Sequence, residues 1–419
     1  MFRYLLVLLT FASVTLTQHA RAMDDLLIDG VPLPADASIA VPVASPTDIQ
    51  QRWSGVWVGA WGGSRKHILL VESVGADGAA RVVYAIGAGP PGAQRGWSRP
   101  QALAAGRTLK VTGAGFSATY EMTEDGALKA EFKRGGSTSR AHMAKADLAS
   151  LRNPDAVVAW TRGKSEFLQT DFVEHGKPVR LEVVIFKPSG AGPFPLAVIN
   201  HGSTGGGRNP ALFTETRVAT DLADFLNERG WMVAFPQRRG RGKSDGLYDE
   251  GFAENRSLGY ICADITLRGA DRALSDIESA ITALQRRQDV APTPLLIGGI
   301  SRGGILSVAY AGRHPAQVFG VINFVGGWLG DGCPVAGTVN QTLFERGAAY
   351  PRPTIWLYGR NDRFYSIPHS RDNFAAFEKA GGRGAFYEFD MPPGQGHFVA
   401  GHPDRWSDPI DRYLKSLGP

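Results

Sequence analysis

Gly299-Ile300-Ser301-Arg302-Gly303 sets a serine between two glycines, directly after the apolar run Leu295 to Gly299 and directly before a second, Ile305 to Ala309. A serine hydroxyl becomes a useful nucleophile when an imidazole takes its proton and fixed donors stabilise the charge on the attacked oxygen. A strand that turns sharply into a helix holds such a serine above a sheet, and flanking glycines let backbone pack closely around it. The same pattern recurs at Gly242-Lys243-Ser244-Asp245-Gly246. There the serine lies in a polar loop and is followed by Leu247-Tyr248-Asp249-Glu250, with no helix opening. Context therefore selects Ser301 as nucleophile and leaves Ser244 as a loop residue. Gly240 to Ser244 also ends like a phosphate-binding loop, but Gln237 stands where that motif needs its first glycine.

The base and acid are sought downstream of Ser301. Pro393-Gly394-Gln395-Gly396-His397-Phe398 follows a strand read at Gly384–Phe389, and a glycine-lined turn there lets an imidazole fold back over the nucleophile. His402 is the rival base, but it stands further from the strand end, directly before Pro403 and the last helix. Gly359-Arg360-Asn361-Asp362 follows the strand Thr354–Tyr358 and places a carboxylate at that strand's carboxyl end. Asp390 or Asp404 would replace Asp362 if the strand boundaries move by a few residues. The strand Leu196–Asn200 runs into His201-Gly202-Ser203-Thr204-Gly205-Gly206-Gly207. The backbone N–H groups of Ser203 and Arg302 are assigned to the oxyanion hole, with Thr204 as the alternative to Ser203. The Arg302 side chain has two readings: it attracts an anionic substituent of the substrate, or it pairs with Asp264 or another acid beneath the helix.

Positioning these residues takes a sheet of buried strands with crossover helices, and the chain from about 165 onward has that rhythm. Apolar strands read at 181–187, 196–200, 231–236, 295–299, 318–325, 354–358 and 384–389. Ala270, Ala273, Leu274, Ile277, Ile281 and Leu284 share one helical face. The segment between the strands at 318–325 and 354–358 carries Trp328, Phe344 and Tyr350 and is expected to edge the pocket with aromatics.

Residues 51–147 differ. Gly55, Trp57, Gly59 and Trp61 alternate, β-prone runs follow at 67–74, 81–86, 116–122 and 128–132, and Asp77-Gly78 and Asp125-Gly126 give hairpin signals between them. This half is expected to be a small antiparallel barrel or sandwich. Residues 23–50 and 148–164 read as linkers, and 165–419 as the catalytic domain.

With His201-Gly202, Arg238-Arg239-Gly240-x-Gly242-x-Ser244-x-Gly246, Gly299-x-Ser301-x-Gly303, Asp362 and His397, residues from about 165 to 417 resemble the dienelactone-hydrolase and prolyl-oligopeptidase branch of the α/β-hydrolase superfamily. The resemblance implies a mostly parallel eight-stranded sheet flanked by helices and hydrolysis through an acyl-enzyme, with partners in the chain order Ser, acid, His. The serine nucleophile departs from the cysteine common in dienelactone hydrolases. The β-region is too small for a propeller of about 4–8 blades. Both departures favour a carboxylesterase.

Arg3, the apolar stretch 4–16 and Ala20-Arg21-Ala22 read as a signal peptide cleaved after Ala22, so the protein is expected to be exported, periplasmic or secreted, without stable membrane insertion. Cys262 and Cys333, the two cysteines of the chain, form a candidate disulfide. Scattered histidines give no metal-ligand spacing, and neither metal nor cofactor is expected. A formal charge of +5 without basic runs interleaved with aromatics gives no sign of nucleic-acid binding. The expected partner is a small-molecule ester. Two alternatives stand beside the esterase: a serine peptidase or amidase, whose peptide amine Asp249, Glu250 or Glu254 would anchor, and an inert binding protein using Trp57, Trp61 and Trp97.

Overall fold

The computed structural model describes residues 25–418 apart from 41–46, 64, 90–93, 136, 154–157 and 204–208. The signal-peptide segment and Thr204 lie outside the described residues. Among those described, no helix is long and apolar enough to cross a membrane.

Strands 55–61, 65–74, 79–86, 101–105, 108–113, 116–122, 128–134 and 137–146 pair antiparallel in a ring, because the second strand bonds to both the first and the third and the last returns to the first. The result is a barrel, with the short strand Gly96–Ser98 added outside on Ala79–Ile86. Closure leaves the ring no free edge. Asp77-Gly78 and Asp125-Gly126 are turns between successive strands, with both glycines at positive φ (84° and 81°). Trp57, Trp61, Leu69, Val71, Tyr84 and Tyr120 fill the interior with Trp53 from the helix Asp48–Trp53.

The regions read as linkers are partly structured. Leu26–Ile28 and Val31–Leu33 form a hairpin, and Leu148–Leu151 a short helix. Ile28, Val31, Leu33, Leu148 and Leu151 pack with Val56, Val58, Ile68, Leu70, Val83 and Ala85 in a second core. Three barrel strands are thus apolar on both faces, which explains the uninterrupted run His67 to Val71: a strand covered on both sides loses its alternation.

The second sheet has eight strands, in the spatial order 164–174, 177–186, 232–236, 194–200, 290–300, 318–324, 354–359 and 384–389. It is mixed: the first two pairings are antiparallel and the rest parallel. The helix Leu267–Gln285 buries Ala270, Ala273, Leu274, Ile277, Ile281 and Leu284, the face given by its period. One core extends through the strands and the helices around them. The expectation for the segment before strand 354–359 is corrected: Trp328 is 1% exposed and packs on the Arg302 guanidinium within the core. Phe344 and Tyr350 do not edge a pocket; they are 0% and 1% exposed and belong to this core, where Phe344 packs on Trp356 and Tyr350 bonds to Phe319 O.

Candidate active site

Strand Val290–Ile300 ends at Ser301, and helix Arg302–Arg313 begins on the next residue. Ser301 has φ 57° and ψ −123°, a conformation costly for a residue with a side chain and held here by the strand and helix on either side. The flanking glycines are sterically required. A Cβ on Gly299 would stand 2.3 Å from Gly303 backbone, and one on Gly303 2.0 Å from Asn200 O. The Ser301 amide donates to Phe324 O at 2.9 Å, which ties the turn to the neighbouring strand.

The rival serine is engaged elsewhere. Ser244 Oγ donates to Gln237 O (2.7 Å) and accepts from Glu182 N (2.8 Å), so it staples a glycine-rich loop to the sheet.

Asp362 follows strand Thr354–Gly359, and its side chain is fully buried. Its Oδ1 accepts from the amides of Phe364 (2.7 Å) and Tyr365 (3.2 Å), and its Oδ2 lies 2.8 Å from His397 Nδ1. A carboxylate only accepts, so Nδ1 carries a hydrogen, and in the neutral imidazole Nε2 has the lone pair. Gly396 permits this approach, because a Cβ there would stand 2.2 Å from Asp362 N. The alternatives are placed differently. The Asp390 and Asp404 side chains are 88% and 59% exposed beside Arg360 and Arg405. His402 is buried where the last helix starts, with its pKa lowered by that burial.

Tyr365 packs beside the His397 ring, and sequence reasoning missed it. Its ring is 5.5 Å from that of His397, its hydroxyl donates to Gly327 O (2.8 Å), and the same hydroxyl interacts with the Ser301 side chain. Burial raises its pKa to about 12, so it stays a neutral phenol. Nothing in the spacing Asp362-x-x-Tyr365 announces this contact. Phe364 and Phe398, 40% and 47% exposed, flank the His397 ring at 4.8 and 6.2 Å and form an apolar rim.

On the other side of the serine, a Cβ on Gly202 would meet Ser301 Cβ at 3.0 Å and Ile300 O at 3.2 Å. The His201-Gly202-Ser203 segment therefore lies directly against the turn. Burial, with Arg238 and Arg241 nearby, holds His201 well below the usual imidazole pKa. The neutral ring accepts from Arg238 N at Nε2 (3.1 Å) and contacts Gly202 O through Nδ1 (2.7 Å). Arg302 contributes its amide at the first helical position, where backbone N–H groups have no partner within the helix. Its guanidinium turns away and is 2% exposed, donating to Trp328 O (3.1 Å) and Glu250 O (2.9 Å) between the Tyr260 and Trp328 rings. Its acidic partner is Glu250 rather than Asp264.

Cys262 and Cys333 are joined, closing a loop across a sequence separation of 71. Among the described residues no group of three or more His, Cys, Asp or Glu is placed to hold a metal ion.

Residues 214–330 match the family model Hydrolase_4, described as serine aminopeptidase, S33. No curated protein matches the chain by sequence. Among solved structures, Est1E of Butyrivibrio proteoclasticus with ferulic acid bound is similar at 16% identity and TM-score 0.42, over 60% of this chain and 98% of that one. An esterase of Pyrococcus furiosus is similar at 14% identity and TM-score 0.42, over 63% of this chain and 95% of that one. The acylaminoacyl peptidase of Pyrococcus horikoshii is similar at 12% identity and TM-score 0.43, over 84% of this chain and 53% of that one. The sheet order and the strained serine between strand and helix, with the family-model match over residues 214–330, give the C-terminal part of the chain the fold of the α/β-hydrolase superfamily.

Proposed function

We propose that the chain is a serine hydrolase that cleaves carboxylic esters through an acyl-enzyme. The observation that carries this reading is Ser301, held at positive φ between strand and helix with the Gly202 segment packed on its Cβ. In the proposed cycle Ser301 Oγ attacks the acyl carbon while His397 Nε2 takes its proton. Asp362 holds the imidazole in the tautomer that leaves Nε2 free and stabilises the imidazolium that forms. The carbonyl oxygen becomes an oxyanion facing the amides of Ser203 and Arg302. Collapse expels the alcohol, which receives the proton from His397. Water then repeats the sequence on the acyl-enzyme and releases the acid.

An ester is favoured over a peptide by the acidic residues near the site. A peptidase that trims from the amino end needs a carboxylate free to meet an ammonium group. Glu250 is buried between Arg238 and Arg302 and Asp249 faces Arg256 at 3.9 Å, so of the three only Glu254, exposed on the loop surface, is open to that role. The binding-protein reading has less support, because Trp57 and Trp61 are 0% and 5% exposed inside the barrel and Trp97, half-buried, donates to Asp25 Oδ2 (2.9 Å). Export remains part of the proposal on the amino-terminal segment, and a disulfide fits an oxidising compartment.

Hydrolysis of p-nitrophenyl esters of increasing acyl length by wild type, Ser301→Ala and Ser244→Ala tests the reading. Activity lost in Ser301→Ala and kept in Ser244→Ala supports it. Equal inactivity of all three on esters, with turnover of peptidyl amides, overturns the ester assignment.

A further inference from the structure

One buried carboxylate outside the Ser301, His397 and Asp362 group holds two arginines at once. Arg238 Nε donates to Glu250 Oε1, and Arg302 Nη1 reaches Glu250 Oε2 at 3.4 Å. The Tyr248 hydroxyl donates to the same Oε2 at 2.9 Å. The Arg238, Arg302 and Glu250 side chains are 2%, 2% and 3% exposed, so water does not screen them.

Each arginine is bonded to a different wall of the site. Arg238 donates to His201 O (2.8 Å) and Gly202 O (3.4 Å), the backbone that leads into Ser203. Arg302 follows the nucleophile, and its guanidinium bonds to Trp328 O on the far side. The two segments whose amides face the acyl oxygen in the proposed mechanism are therefore fastened to a single residue. Burial alone would raise the Glu250 pKa, but the two guanidiniums outweigh it and hold the group below the usual carboxylate range. Two guanidiniums against one carboxylate leave a net positive charge on this cluster, and a positive field favours an oxyanion. Breaking a buried ionic group on one side leaves uncompensated charge, so these contacts act as a unit.

We propose that Glu250 is a positioning residue for the oxyanion hole, clamping the Gly202–Ser203 and Ser301–Arg302 segments in register through Arg238 and Arg302. The assignment rests on the proposed hydrolase function. It predicts that Glu250 acts on the tetrahedral state and scarcely on ground-state binding.

The experiment compares wild type, Glu250→Gln and Arg238→Gln, with every rate divided by active sites titrated with a fluorophosphonate. Affinity for an alkyl trifluoromethyl ketone is measured beside ester kinetics, since its adduct with serine carries an oxyanion. The expected result is a fall in kcat per titrated site of roughly 10–100-fold with little change in KM, short of the ~10²–10³-fold lost when an oxyanion donor itself is removed. The ketone should weaken by the same factor as kcat/KM. A merely structural role gives another pattern: fewer titratable sites and a lower Tm, with kcat per site and ketone affinity unchanged, and that pattern in both variants overturns the proposal. Arg238→Gln provides the measurement if Glu250→Gln does not fold. A wild type that neither hydrolyses esters nor takes up label at Ser301 overturns the hydrolase reading and this assignment with it.

Discussion

His397 Nδ1 and Asp362 Oδ2 are 2.8 Å apart, and the carboxylate that fixes the imidazole is itself fixed by the amides of Phe364 and Tyr365. The pair is rigid because its acid is buried and each of its oxygens has a backbone or imidazole donor. Asp362→Asn keeps the shape but presents an amide whose nitrogen cannot accept from Nδ1–H. With its oxygen held by the Phe364 and Tyr365 amides, the Asn NH2 donates toward Nδ1, so the imidazole hydrogen moves to Nε2 and the lone pair there is lost. The expected loss in kcat is about 10³–10⁴-fold with an unchanged Tm, measured by ester kinetics and differential scanning fluorimetry. A loss below tenfold would point to another acid.

Ser244 separates a sequence motif from its chemistry. Ser244→Ala removes an acceptor from the Glu182 amide and a donor from Gln237 O. Stability should fall by roughly 1–3 kcal/mol, as for a buried donor left unmade, while kcat stays near wild type. Urea unfolding followed by fluorescence reads the first quantity and steady-state kinetics the second.

Much of the C-terminal half was legible because each signal was local. A strand followed at once by Gly-x-Ser-x-Gly and an apolar helix points to a strained turn, and glycines before His397 point to a close approach. The strand Lys164–Glu174 escaped because it is an edge strand whose residues are mostly exposed or half-buried, so its sequence lacks an apolar run. In the barrel, Gln101–Ala105 has three alanines in five residues and Ser137–Ala146 is rich in Ala and Ser, and ring closure rather than propensity makes them strands. The hairpin Leu26–Leu33 reads as a linker because its strands have three residues each, one of them containing proline. Glu250, Arg238 and Arg302 are dispersed along the chain, and nothing local says that they meet. Tyr365 was hidden in the same way.

The disulfide braces the loops that sandwich Arg302. Tyr260 precedes Cys262 and Trp328 precedes Cys333, and both rings lie within about 4 Å of the guanidinium. Cross-linking over this separation constrains the unfolded chain by about 4 kcal/mol in the entropic account. Cys262→Ala with Cys333→Ala should lower both Tm and kcat, and a reducing agent should do the same to wild type but leave the double variant unchanged. Thermal melts and ester kinetics with and without reductant check this.

Stability should fall on mild acidification through the barrel. His67 is buried against Tyr120 and Ala85 O, and burial lowers its pKa from 6.5 to about 3. Above pH 6.5 it is neutral in both states and has no effect. Between about 6.5 and 3 the unfolded chain binds a proton that the folded barrel refuses, so stability is lost as pH falls. Asp221 and Asp276, raised to about 6 by burial, act in the opposite sense between about pH 6 and 4. The measurement is therefore a difference: Tm against pH for wild type and His67→Gln, in which the variant should show the shallower decline from pH 6.5 to 4.

The most direct test of the central claim is to trap the acyl-enzyme. Protein mixed briefly with a p-nitrophenyl ester is quenched in acid, and the modified residue is located by peptide mass spectrometry. The account predicts one acyl group per chain on the peptide carrying Ser301, present in Ser244→Ala and absent in Ser301→Ala, with a matching burst of p-nitrophenol. Hydrolysis that continues at the wild-type rate in Ser301→Ala, or acylation of a different residue, would contradict it.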